Sequence, residues 1–382
     1  MLSLLLVLCA APQSIPNFKE QVVDPDVGVG YATTIADINA DGKPDIVAVT
    51  EIPDQVVWYE NPTWKRRVIV GKEIRLPVCV QAMDVDGDGK VELMLGADWQ
   101  PSNSKTGGSV WLLKRPEDLD QPWTPIKLDE EPLMHRFRLV NGEFACKTLK
   151  GRDSAAGDGN PALLYILKKP ADPFKDKWTR EIVQKTVRIT HNFWPVDMDG
   201  DGKEEVLLAG LEGVFILKKA GDQWEQKKIG AGDPVKKGAG EIKIGRLPGG
   251  RRYVATVEPW HGHSCAVYIE PEKAGGEWRR QVLVDNHKGG HAVWAADLTN
   301  SKVDSLVVGF RGVPEGKKEE CVVYVFHPQD AAGEKWEKKA LDDKGMGSED
   351  AICADLNGDG KIDIVAVGRS TKNVKIYWNE GK

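Results

Sequence analysis

The sequence predicts an all-β fold: a seven-bladed β-propeller of four-stranded blades, its ring closed by the N-terminal strand pairing with the C-terminal blade. Three observations predict it. The 382 residues include 40 Gly and 13 Trp with almost no long helical pattern, which favours short strands joined by turns. A unit of about fifty residues repeats along the chain. The first strand-like segment also has the character of a fourth strand, while the last has that of a third.

The repeat is clearest in the run Ala36-Asp37-Ile38-Asn39-Ala40-Asp41-Gly42-Lys43-Pro44-Asp45-Ile46-Val47. Close copies begin at Asp84, Asp197 and Asp355, and a worn copy begins at Asp297. Two further stretches keep the strand-turn-strand outline without the acidic turn, around Asn141-Gly142 and Pro248-Gly249-Gly250. With Val140 and Arg246 as their matching points, seven units follow one another. Each continues into an apolar third strand, from Val57-Trp58-Tyr59 in the first to Ile376-Tyr377-Trp378 in the last. A fourth strand then opens on Phe18, Trp64, Trp123, Trp178, Trp224, Trp278 or Trp336. Four short strands per repeat of this length suit a propeller blade. Phe18 to Val23 then completes the last blade and removes its exposed edge, so residues 12–382 form one domain despite a length that alone suggests two.

At the amino terminus Leu2 to Leu8 is apolar and Cys9-Ala10-Ala11 follows, so residues 1–11 are expected to be a cleaved export signal. The run is too short to span a bilayer, which needs about 20 residues. Export to the periplasm or the extracellular space is the expected localisation, with envelope association as an alternative. Five cysteines remain at irregular spacing, mostly inside apolar runs, which predicts buried free thiols. The formal charge is −6 and Lys and Arg form no run, which argues against nucleic-acid binding. Oligomeric state has no signal in the sequence.

The acidic turns place oxygens at positions 1, 3, 5 and 9: Asp37, Asn39, Asp41, Asp45; Asp84, Asp86, Asp88, Glu92; Asp197, Asp199, Asp201, Glu205; Asp355, Asn357, Asp359, Asp363. With Gly at position 6 this spacing wraps a hard cation, and structural Ca2+ is the expected ion. The position-12 Glu of an EF-hand is missing, so each turn is a strand-to-strand clip. Asx hydrogen bonds alone are the plainer account of the same hairpins.

The turns lie on one face of the disc, and six of the seven histidines fall on the other. Counting six residues back from each turn Asp or its equivalent gives Tyr31, Val78, Met134, His191, Gly240, His291 and Glu349, with His135 and Glu241 one place on. These open the innermost strands and are expected to rim a central funnel. His191, His261 and His291 are the candidate ligands of a transition metal, Zn2+ or another divalent ion, with an open position for Lewis-acid work. His135, His263 and Glu258 are candidates for proton transfer, their roles interchangeable. Arg136, Arg188, Trp99 and Trp194 are candidates for holding a sugar ring or its carboxylate.

The acidic turns resemble FG-GAP and VCBS repeats, which implies a propeller with calcium in the turns and says almost nothing of activity. Three further segments are similar to the propeller domain of the aldos-2-ulose dehydratase family and its bacterial relatives: Trp58-Tyr59-Glu60-Asn61-Pro62, Glu258-Pro259-Trp260-His261-Gly262-His263, and Gly290-His291 leading into Asp297. That resemblance implies a lyase eliminating water or a glycoside from a keto-sugar at a divalent metal. The alternative is a non-catalytic, calcium-stabilised module that binds glycan or protein.

Overall fold

The computed structural model describes residues 13–154, 159–273, 275–312 and 318–382. The expected signal at 1–11, with Cys9, lies outside them. Seven antiparallel sheets of four strands follow one another around a ring, each a meander in chain order. The seventh is built from Ser348–Ala354, Asp363–Gly368, Val374–Gly381 and, returning from the other end of the chain, Asn17–Asp24. Phe18 stands opposite Asn379, so the ring closes by strand pairing. No described helix is long and apolar enough to cross a membrane.

Burial follows strand order within each blade. Second strands such as Glu92–Ala97, Glu205–Gly210 and Asp363–Gly368 are buried throughout, as continuous apolar runs between neighbouring blades require. Fourth strands such as Thr124–Glu130 and Thr179–Gln184 carry exposed positions and form the outer rim. The five described cysteines are free thiols, four of them buried.

Polar latches join the blades where apolar packing ends. Third-strand tyrosines donate to carboxylates of the preceding blade's fourth strand: Tyr59 to Asp24 at 2.7 Å, Tyr165 to Asp129 at 2.8 Å and Tyr377 to Asp342 at 2.6 Å. Each carboxylate also meets a base, Arg66, Arg180 or Lys375. A phenol is amphipathic, so its ring fills the core while its hydroxyl satisfies the buried carboxylate.

The first strands are innermost: Gly30–Ala36, Cys79–Met83, Met134–Val140, Thr190–Val196, Ile242–Arg246, Gly290–Ala296 and Ser348–Ala354. Each runs from one face of the disc, where a central funnel opens, to its first-to-second turn on the other.

Candidate functional site

Five first strands share an irregularity at their opening. Pairing with the second strand skips Tyr31, His135, the His191-Asn192 pair, His291 and Glu349. A β-bulge leaves its extra residue out of the ladder and re-aims the side chain. Here each bulge turns a polar group toward the axis. Blade five has a regular first strand and contributes instead Glu241, just before that strand, and the Trp260-His261 loop. A Cβ on Gly262 of this loop would overlap the Glu258 carbonyl, so the hairpin needs glycine there.

The result is a funnel of about 540 Å3 lined by Tyr31, Trp99, His135, Trp260, His261 and His291, among others. His191 lies just beneath and is fully buried. Its Nε2 is 2.6 Å from His261 Nε2 and 3.1 Å from His135 Nε2. One ring nitrogen each from His191, His261 and His291 lies within 4.8 Å of the others. Burial pushes all four imidazoles well below the ordinary histidine range, and nearby guanidiniums such as Arg136 and Arg311 add to the effect. They are therefore neutral, the form that ligates metal.

Carboxylates stand behind the rings. Glu241 Oε1 is 2.7 Å from His191 Nδ1 and 3.9 Å from His291 Nδ1. Burial would raise the Glu241 carboxyl, but His291, Arg136, Lys243 and the Asn192 amide hold it below the usual carboxylate range. Glu241 Oε1 and His191 Nδ1 are buried without a well-aligned hydrogen-bond partner. His291 Nδ1 meets the Glu349 carbonyl, which leaves its Nε2 facing the cluster, 3.5 Å from Glu349 Oε1. Arg311 and Arg369 clamp that carboxylate. Beneath, Lys147 Nζ donates to Thr148 O, Thr190 O and Thr190 Oγ1, tying blade three to the residue before His191.

These residues fit a divalent ion. Three neutral nitrogens from three blades converge, and a carboxylate stands behind His191 and a backbone carbonyl behind His291, the kind of partner that orients metal-ligating histidines. One adjustment is needed. Arg311 can only donate, so its 3.3 Å contact makes His261 Nδ1 an acceptor and puts the proton on Nε2. Holding an ion through Nε2 would require that proton to sit on Nδ1, away from Arg311.

Besides His191 beneath it, the structure places five expected residues outside the funnel lining. His263 is part-exposed and turned to Asp285, 2.5 Å away. Glu258 is fully buried and consumed by Thr256, Tyr268 and Arg280, so it anchors the His261 loop rather than facing a substrate. Arg136 lies behind His135 and 3.8 Å from Glu241. Arg188 is exposed and pairs with Glu212. Trp194 packs edge-on against Trp294, with the Lys243 ammonium 4.3 Å above it. Trp99 does line the funnel and stacks on His135, with ring centroids 4.7 Å apart.

On the opposite face the acidic turns are capped from within. Position 1 accepts the position-6 amide in all four turns, at 2.8 to 3.0 Å. Asp45 and Asp363 at position 9 spend both oxygens on backbone amides, those of Ile38 and Asn61 and of Leu356 and Asn379. Burial, with Asp41 and Asp37 adding their charge, raises Asp45 to about 6; Glu92 likewise rises to about 7 near Asp86, Asp88 and Asp84. Asp84, Asp86 and Glu92 group closely enough to share an ion, as do Asp197, Asp199 and Glu205. In the worn turn Asp297 accepts from the Thr299, Ser301 and Lys302 amides.

A family model for the β-propeller domain of aldos-2-ulose dehydratase matches residues 107–271, and one for FG-GAP-like repeats matches residues 37–95. The chain resembles the dehydratase propeller. The aldos-2-ulose dehydratase of Phanerodontia chrysosporium is 25% identical over 410 residues, covering 94% of this chain and 44% of the fungal protein. The chain thus spans less than half the length of that relative. Among solved structures, YCF48 bound to a D1 peptide superposes with a TM-score of 0.52 at 15% identity, covering 95% of this chain and 99% of that one. BBS1N in complex with ARL6DN, soaked with lead, gives 0.57 at 10% identity, covering 97% and 98%. These two likenesses show the propeller fold alone.

In this dehydratase-like propeller, sequence reasoning missed Arg311, Arg369, Trp260 and Lys236 as parts of the funnel wall. Arg311 and Arg369 each follow a second strand, at Phe310 and Gly368, on the same face as the histidines. That shared position after a second strand was the available signal.

Proposed function

We propose that the chain is an exported carbon–oxygen lyase acting on a keto-sugar in the funnel, with a divalent ion, zinc, held by His191, His261 and His291. The observation that carries this reading is the meeting of three neutral imidazole nitrogens from three blades, backed by Glu241, in a cavity of sugar size. The similarity to aldos-2-ulose dehydratase supplies the carbohydrate class.

A divalent ion held there would supply Lewis-acid polarisation of a ketone oxygen, acidifying the neighbouring C–H. His135 stands outside the three-ligand set yet against it, neutral and lining the cavity. It takes the C–H proton, the freed pair forms C=C as the β C–O bond breaks, and the same proton leaves with the departing oxygen. Trp99 fixes the His135 ring from behind, while Trp99, Trp260 and Tyr31 offer flat surfaces to a pyranose. The acidic turns bind Ca2+ in a structural role, most directly at Asp84-Asp86-Glu92.

The test is enone absorbance with keto-glycosides, alongside metal content. One zinc per chain and chelator-sensitive elimination are expected, and His191→Ala should abolish both with the fold intact. Zinc bound without turnover, with sugar still captured, would replace this reading with the non-catalytic module.

A further inference from the structure

The chain carries a formal charge of −6, yet the funnel has the opposite sign. Among the described residues its wall includes Lys150, Lys236, Lys237, Arg311 and Arg369 against a single carboxylate, Glu349. Deeper along the axis Arg136 and Arg138 face Glu241 and Asp350 in equal number, and burial pushes the Lys147 and Lys243 ammoniums well down, so the excess of positive charge lies at the wall and mouth. Two guanidiniums therefore share Glu349, and Arg311 Nε is buried without an acceptor. Lys236 and Lys237 are exposed at the mouth, on a loop pinned by the Gly232–Gly238 bridge and by the Asp233 carboxylate, which accepts the Val235 and Lys236 amides.

Concentrated cations in a low-dielectric cleft focus a field that attracts anions. Guanidinium and ammonium groups donate and never accept. A neutral sugar entering this wall would displace water from donors without returning charge, whereas an anionic group returns both charge and acceptors. A zinc ion would sharpen the asymmetry.

We propose that the sugar taken by the funnel carries an anionic group, a carboxylate or a phosphate, which docks on Arg311 and Arg369 after attraction by Lys236 and Lys237. This deepens the carbohydrate reading and rests on it.

Calorimetric titration of the full chain, zinc-loaded and zinc-free, with glucose, glucuronate and glucose 6-phosphate tests it. Both acids are expected to bind at least about tenfold more tightly than glucose, with the advantage shrinking severalfold as salt rises. The advantage should persist without zinc. The exposed double variant Lys236→Gln/Lys237→Gln should lose part of it at low salt, and Arg311→Gln most of it. Preference for glucuronate alone identifies a carboxylate, and preference for the phosphate alone a phosphoryl group. Equal binding of glucose and both acids overturns the proposal and leaves the elimination reading standing, as does an advantage seen only with zinc present. Failure of every sugar to bind overturns both.

Discussion

The two faces of the disc are built on opposite principles. On the turn face one motif recurs, mostly exposed, each copy's first carboxylate capped by an amide of its own turn. On the funnel face nothing recurs: Tyr31, His135, His191, His291 and Glu349 occupy equivalent bulges in five blades, and the set works only because the side chains differ. Repetition marks what the ring needs everywhere, and divergence at an equivalent position marks what it needs once.

The turns do more than reverse the chain. The position-2 carbonyl accepts a side-chain donor from the next blade in four of them: Ile38 from Arg115, Met198 from Arg252, Leu298 from Asn379 and Leu356 from Asn61. Stiffening a turn thus stiffens a joint between blades.

The contrast is sharpest in the axial charges. Lys243 is fully buried between Trp194 and Trp294, and burial, with Arg138 close by, pushes its ammonium down to about 7. Between about pH 7 and the ordinary lysine range the unfolded chain holds a proton that the folded chain does not, so stability rises with pH there. Below about 7 the folded state carries the full penalty. Lys243→Met should remove this slope, with a difference on the order of 5 kcal/mol accumulated across the window. Denaturant midpoints for both proteins at several pH values check it, and parallel profiles would contradict it.

Behind the proposed metal ligands, Glu241→Gln should weaken zinc binding by about 10–100-fold, because an amide orients His191 without supplying charge. Competition with a chelator measures this. A change in thermal stability with zinc affinity unaltered would make Glu241 structural, like Glu258.

The turn face should answer in the other way. Asn379→Ala leaves Leu298 O and Ile362 O without a partner and should cost about 1–3 kcal/mol of stability while sparing elimination. Urea unfolding and the enone assay on one preparation separate the effects. Loss of activity with stability unchanged would break the division of labour between the faces.

Legibility in the sequence divides along the same line. The turns are local, so spacing alone exposes them, and the 3.8 Å stride of the chain fixes their oxygens within a few residues. Strand phase is local too, which is why ring closure through Phe18 is readable. The funnel is not. The count of six residues reaches the strand openings, but whether His191 points to the axis depends on a bulge, and the fate of Glu258 depends on Tyr268 and Arg280 claiming it first. His263 and His261 differ by two positions and end on opposite sides of a hairpin, His261 half-buried against His191 and His263 facing Asp285. Composition carries no trace of that choice.

The fourth-blade turn offers the finest test of the comparison, since there a side chain takes the place proposed for the ion. Lys218 Nζ reaches Asp199, stands 3.0 Å from Glu205 and 3.7 Å from Asp201, and so sits where a cation would. The second-blade turn has the same acidic positions, and its Lys90 approaches only Asp88, at 3.9 Å. An ammonium satisfies fewer oxygens than calcium but is tethered, so it competes at high effective concentration. Calcium should therefore bind the second-blade turn more tightly than the fourth, and Lys218→Met should raise affinity at the fourth by about severalfold to tenfold. Isothermal titration resolves the two classes. If wild type and variant bind with one indistinguishable affinity, Lys218 is only a surface ion pair, worth little like most exposed pairs, and the turns are equivalent clips after all.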